Sequence, residues 1–326
     1  MKLLKLLVLL PIIALCFGCG DDKDDSNVNS QLRFGTGGTG GMYYAYGTEL
    51  AKMIQTDGKT RPLDVKTTAG SASNARLLQD KLLDLAMVQS DTLSDALNGR
   101  GNFEKFGKGS GYAAVAAVYP EVCQIIVPKD SDIKTVNDLV GKKVSISERE
   151  SGSMKNAVQI LEAHGMTTEM FSPLYMPFAD SAAALQDGTI DAFFVTAGVP
   201  ALPIINLMNQ KDIRLLSISD DVQNSLLKLD SGYTPYKIPA NTYKGQTEEI
   251  STIAVKAVIL ARTDLPDKDV AYLTEFILRN VEKLPHDGNI ELDVNFATEN
   301  VPASFHAGAA KFYESQGVKV DVYDAH

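Results

Sequence analysis

The sequence predicts an α/β protein built as two similar lobes, each a mainly parallel sheet flanked by helices, with hinge strands between them. Three observations carry this prediction. Strand-like and helix-like stretches alternate along the chain, the pattern of parallel sheets with helical crossovers. The 296 residues after Ser30 suffice for two domains of about 150 each. Finally, Leu78-Gln79-Asp80 with Asp84 echoes Leu185-Gln186-Asp187 with Asp191, each pair 107 positions apart.

Taken in order, residues 1–18 carry Lys2 and Lys5 ahead of an apolar run from Leu6 to Leu15. This reads as a secretory signal peptide, too short to span a bilayer. Gly18-Cys19 resembles a bacterial lipoprotein cleavage site, so Cys19 is expected to become the acylated first residue; cleavage without acylation is the alternative. Cys16 is a poor substitute, because Leu15 before it is bulky. The acidic, aromatic-free stretch that completes residues 19–30 reads as a disordered tether. The chain is thus expected to be exported, periplasmic or at the cell surface, anchored to the membrane through lipid. Its net charge of -10 becomes -12 without Lys2 and Lys5, a sign that argues against nucleic acid.

Leu32 and Phe34 alternate with Gln31 and Arg33 as in a half-buried strand, and Gly35-Thr36-Gly37-Gly38-Thr39-Gly40-Gly41 follows with five glycines in seven residues. Tyr43, Tyr46, Leu50 and Ile54 then set one apolar stripe on a helix. Such a loop bares backbone N–H groups at a helix N-terminus, where a carboxylate or phosphate fits. The letters also match G-x-G-x-x-G at Gly35, Gly37 and Gly40. A dinucleotide fold, however, wants an acidic residue at the end of the next strand, and Leu63 to Thr68 ends in Thr67-Thr68. A turn without a ligand is the other alternative.

Ser71 is placed as N-cap of a helix running to about Lys81, with Asn74 in its first turn. Asp84 to Gln89 forms the third strand, and Ser90-Asp91 opens another helix. Small polar clusters so stand at the carboxyl ends of three strands, where open α/β sheets bind ligands; helix capping would use the same atoms. Tyr112 to Val127 reads as a long crossing strand. A short helix at 138–143 stopped by Gly141, a strand at Val144 to Ser147, a polar loop at Glu148 to Ser153 and a helix from Met154 to His164 closed by Gly165 follow. Strands are expected at Ser172 to Phe178, Ala192 to Thr196 and Ile213 to Ser217, with Pro200 at a helix N1 position. Ser251 to Arg262 is the returning strand, and helices at Lys268 to Val281 and Ala307 to Ser315 complete the chain. The echo puts Gln89-Ser90-Asp91 and Thr196-Ala197-Gly198 at matching strand ends, so that facing lobes would aim both into one cleft.

Catalytic inventories are not met. His164, His286, His306 and His326 lack H-x-x-x-H spacing, so no metal site is indicated. Ser131-Asp132-Ile133-Lys134 and Ser225-Leu226-Leu227-Lys228 match S-x-x-K without its companion motifs, and no G-x-S-x-G occurs. A binding protein without cofactor is expected rather than an enzyme; a secreted hydrolase is the least favoured reading.

The stretches Gly35 to Tyr44, Leu139 to Val144, Ile238 to Gly245 and His306 to Ala309 resemble the TAXI family of TRAP-transporter substrate-binding proteins over nearly all of residues 31–320. The resemblance implies a type II periplasmic-binding-protein-like fold, with residues 31–120 plus 254–326 as lobe 1 and 121–253 as lobe 2. It implies a monomer that closes on a small carboxylate, such as glutamate, a related amino acid or 2-oxoglutarate, and delivers it to TRAP permease subunits. A binding protein of the same fold serving an ABC transporter or a membrane sensor is the alternative. The implied ligand residues are Thr36, Gly37, Gly38, Thr39, Gly40, Gly41, Tyr43, Ser71, Asn74, Gln89, Ser90, Ser151, Gly152 and Ser153, joined by Gly198 from the echo. Met42 and Ala45 depart from the Thr and Pro usual in the family. Glu150-Ser151-Gly152-Ser153 replaces a more usual Gly-Ser-Gly-Thr, bringing Arg149 and two acids near the cleft, with Arg149 as a partner for a second carboxylate.

Overall fold

The computed structural model describes residues 31–285 and 291–324; the expected signal peptide and tether, with Cys16 and Cys19, and His286 and His326 lie outside the described residues. The first unit is β1 (Leu32–Gly35), α1 (Met42–Asp57), β2 (Leu63–Lys66), α2 (Ser71–Gln79), β3 (Leu85–Gln89) and α3 (Ser90–Asn98). Tyr43, Tyr46, Leu50 and Ile54 are buried along α1, as their spacing requires. The chain then crosses on β4 (Tyr112–Pro128), buried throughout except at its end. The second unit is β5 (Lys143–Ser145), α4 (Gly152–Ala163), β6 (Ser172–Leu174), α5 (Phe178–Gln186), β7 (Ala192–Ala197) and α6 (Leu202–Met208). After β8 (Ile213–Leu215), α7 (Asp220–Leu229) and β9 (Thr234–Ile238), the chain returns on β10 (Ile250–Arg262) to α8 (Asp267–Arg279), α9 (Val294–Thr298) and α10 (Ala307–Ser315).

The sheet order is β2-β1-β3-β10-β4-β7-β5-β6, with β8 on β4 and β9 on β10. β1 runs parallel to β2 and β3, and β10 pairs antiparallel with β3. Likewise β5 runs parallel to β6 and β7, and β4 pairs antiparallel with β7. The order β6-β5-β7-β4 therefore repeats β2-β1-β3-β10, and β4 and β10 pair with each other antiparallel from Ala254 opposite Val122 to Arg262 opposite Tyr112. The expected α/β, type II periplasmic-binding-protein-like fold is the one observed.

Hydrogen bonds confirm that the echo is structural. Asp84 accepts from the backbone N–H of Arg33 at 2.8 Å and returns its own N–H to the Arg33 carbonyl at 2.9 Å. Asp191 does the same with Lys143, at 2.7 and 2.8 Å. Each aspartate so ties the turn before a central buried strand to the strand beside it. One apolar cluster draws on residues 32–119 and 257–313, and two others on residues 122–255.

Four local expectations are corrected. Gly70, not Ser71, is the N-cap of α2: its φ of 110° and ψ of -152° suit only glycine, and the helix starts one residue earlier than expected. Residues 136–139 form a 3₁₀ turn closed by a Thr135–Asp138 capping box, so the helix expected at 138–143 is shorter and earlier. Phe178 begins α5 rather than ending β6. Pro200 follows a cis peptide bond outside α6, and Pro203 takes the first-turn position instead. Among the described residues, no helix is long and apolar enough to cross a membrane.

Candidate functional site

A cavity of about 320 Å³ opens where the two halves of the sheet meet. One wall comes from the glycine loop, the start of α2, Gln89 at the end of β3 and Glu121 on β4; the other comes from Ser147, Glu148, Ser151 to Ser153, the start of α5 and the end of β7. The N-termini of α1, α2, α4 and α5 all border it, and the helix dipoles there favour an anionic group. At α1, α2 and α5 no side chain caps the helix.

The walls touch. The Ala72 N–H donates to the Glu150 carbonyl at 3.1 Å, and Arg76 pairs with Glu150. A Cβ on Gly152 would lie 1.6 Å from Gln89 Oε1 and 3.0 Å from Ser71 Oγ, so only glycine lets the α4 terminus approach β3 this closely.

Of the sequence-expected residues, Gly37, Gly38, Thr39, Gly40, Gly41, Tyr43, Ser71, Gln89, Ser151, Gly152 and Ser153 line the cavity. Thr36, Asn74, Ser90 and Gly198 do not. Thr36 turns its hydroxyl to the Lys66 carbonyl at 2.9 Å. Asn74 braces the loop from behind, donating to the carbonyls of Thr36 at 2.7 Å and Met87 at 2.8 Å. Ser90 accepts from the Lys256 N–H at 3.0 Å, joining α3 to β10. Gly198 lies against the Met42 side chain, whose terminal carbon would be 2.5 Å from a Cβ there. Ser151 caps α4 by accepting from the Met154 N–H at 3.0 Å, and Ser153 donates to the Thr196 carbonyl at 3.2 Å. Ser71 accepts from the Gln89 N–H at 3.1 Å and lies 3.4 Å from the Tyr43 hydroxyl.

Sequence reading brought the two acids beside Arg149 near the cleft but missed Glu121 and Asp180. Glu121, Glu148 and Asp180 line the cavity, with Ser147, Phe178 and Thr196, and no Lys, Arg or His does. Burial pushes Glu121 from an ordinary 4.5 up to about 8, against the opposing pull of the Tyr43 hydroxyl and the Gln89 amide. Burial, and then Asp180, also raise Glu148. The available signal was Glu121 itself, a lone charge inside an apolar strand, where a buried charge calls for a partner. Arg149 does not reach the cavity: positive φ at Ser147 and Glu150 turns the loop so that Glu148 faces inward, while the Arg149 guanidinium stacks 3.6 Å from the centre of the Tyr175 ring. The expected pairing of Arg149 with a second ligand carboxylate is thereby lost.

Among the described residues, no group of three or more His, Cys, Asp or Glu could hold a metal. The model of the NMT1-like family matches residues 34–317. A stretch of 84 residues is 34% identical to an aliphatic sulfonates-binding protein of Escherichia coli (strain K12), covering 26% of this chain and 26% of that protein. The chain thus spans about a quarter of the length of that curated relative. Among solved structures, one from Bordetella bronchiseptica RB50 aligns with TM-score 0.53 at 14% identity, over 91% of this chain and 85% of that one. The periplasmic aliphatic sulphonate-binding protein SsuA of Escherichia coli aligns with TM-score 0.47 at 22% identity, over 78% and 72%.

Proposed function

Because this chain belongs to the NMT1-like family, we propose that it is an extracytoplasmic solute-binding protein that captures a small anion-bearing solute and hands it unchanged to a membrane permease. The observation that carries this reading is the cavity bordered by four helix N-termini from both halves of the sheet. Its volume lies at the low end of small-molecule pockets, about 300–1,000 Å³. The lobes would be residues 31–120 plus 254–326 and residues 121–253, closing about β4 and β10 near 119–125 and 250–256. The glycine loop, Tyr43, Ser71, Gln89, Ser151, Gly152 and Ser153 would contact ligand, with Thr36, Asn74, Ser90 and Gly198 supporting them. Cys19 would carry the lipid anchor, and the protein would act as a monomer without turnover.

For the partner, the match to a sulfonates-binding protein favours an ABC-type permease; a TRAP permease rests on the motif resemblance at Gly35 to Tyr44. The anionic group is accordingly a carboxylate or a sulfonate. A thermal-shift screen of the purified protein against amino acids, dicarboxylates, keto acids and sulfonates tests the reading, since a ligand that binds only the native state raises the melting temperature. At least one compound is expected to do so; no shift with any anion would count against the site.

A further inference from the structure

Glu121 and Gln89 stand side by side on the cavity wall, each at most 3% exposed. The Gln89 amide donates to one oxygen of Glu121 at 2.9 Å. Gln89 Oε1 and Glu121 Oε1 are then buried without a hydrogen-bond partner among the described residues. Buried acceptors are ordinarily served, and two adjacent ones that lack a partner, on residues lining a cavity, ask for a guest that donates.

We propose that Glu121 and Gln89 form an ammonium subsite, so that the solute is a zwitterion rather than a dicarboxylate or keto acid that lacks an ammonium. This rests on the reading of the cleft as the binding site. An ammonium group carries three donors, enough to serve both acceptors at once. A proton resident on Glu121 would satisfy that carboxyl but leave Gln89 Oε1 open. The rest of the cavity agrees in sign: Glu148 and Asp180 add two carboxylates, and no basic side chain lines it. A dianion would meet three acids with no cation to offset them. A zwitterion instead divides its charges, its anionic end at the helix N-termini and its ammonium at Glu121.

Calorimetric titration of the purified protein with matched compounds tests this. The probes are the standard amino acids and taurine, set against glutarate, 2-oxoglutarate and ethanesulfonate, which lack the ammonium. At least one ammonium-bearing probe should bind about tenfold or more tightly than its counterpart, the scale of one charge-assisted hydrogen bond. Glu121→Gln and Gln89→Leu, each checked for folding by circular dichroism, should both remove that advantage. Tight binding of glutarate, 2-oxoglutarate or ethanesulfonate with no preference for an ammonium overturns the inference and leaves the cleft reading standing, as does full affinity in both variants. No binding by any probe overturns both.

Discussion

Lys155 on α4 and Asp91 on α3 join the two walls of the cleft from behind: the ammonium lies 3.2 Å from the Asp91 carboxylate and donates to the Asp91 carbonyl at 3.0 Å. The same ammonium meets Asp95 at 2.8 Å and Asp230 at 3.1 Å, while Asn156 donates to the Asp91 carboxylate at 2.9 Å. Burial works against the charge of Lys155, yet Asp91, Asp230 and Asp95 together hold its pKa up. Lys155→Met strands Asp91, which is fully buried. Urea unfolding is expected to show a loss of roughly 3–5 kcal/mol, the cost of an unpaired buried charge; a loss below about 1 kcal/mol would refute the clamp.

Glu121 gives the ligand-free protein a pH dependence of definite sign. Its folded pKa of about 8 lies above the ordinary 4.5, so between those values the native state holds a proton that the unfolded chain releases. The contribution of this group to stability is full below about pH 4.5 and falls as pH rises toward 8. Melting temperatures measured across that window should decline more steeply in wild type than in Glu121→Gln, and parallel curves would contradict the assignment.

Gly152→Ala should disable the site without unfolding the protein. The added methyl lands on Gln89 Oε1, so Gln89 must give up its bond to Glu121 or α4 must retreat. Affinity for whichever solute the thermal screen identifies is expected to fall about tenfold or more, equivalent to one charged hydrogen bond. Wild-type affinity in this variant would show that the contact is slack.

The paired aspartates should differ in weight. Asp84 is also held by Arg33 and by Arg262 at 3.0 Å; burial alone would raise its pKa, but these arginines bring it below the ordinary value. Its contribution is present above the ordinary pKa and is lost as pH falls through the depressed one. Asp84→Ala is expected to cost roughly 3–5 kcal/mol. For Asp191→Ala, which removes one backbone N–H bond, about 1 kcal/mol is expected. Equal losses in thermal unfolding would show that the arginines add nothing.

Much of this architecture was legible because it depends on period and spacing. The stripe from Tyr43 to Ile54, the glycines before it and the interval between Asp84 and Asp191 are local or repetitive signals, and the strands followed from them within a few residues. The cleft was legible where it is made of strand ends. It was only half legible at Glu121: a lone charge in the apolar run from Tyr112 to Val127 marks a residue that needs a partner, but not that its side chain lines the cleft. Arg149 went astray for a similar reason: two adjacent loop residues differ in direction by a backbone turn that depends on αL residues at Ser147 and Glu150, and neither is a glycine to announce it.

The repeat has one further effect. In a perfectly duplicated cleft the two ends of a guest would be interchangeable, and a solute could enter head first or tail first. Here the residue that matches Gln89 across the echo is Thr196, which has no amide to reach a carboxyl. The duplicated frame therefore carries unlike chemistry at its two poles, and a guest with unlike ends has a preferred way round to lie.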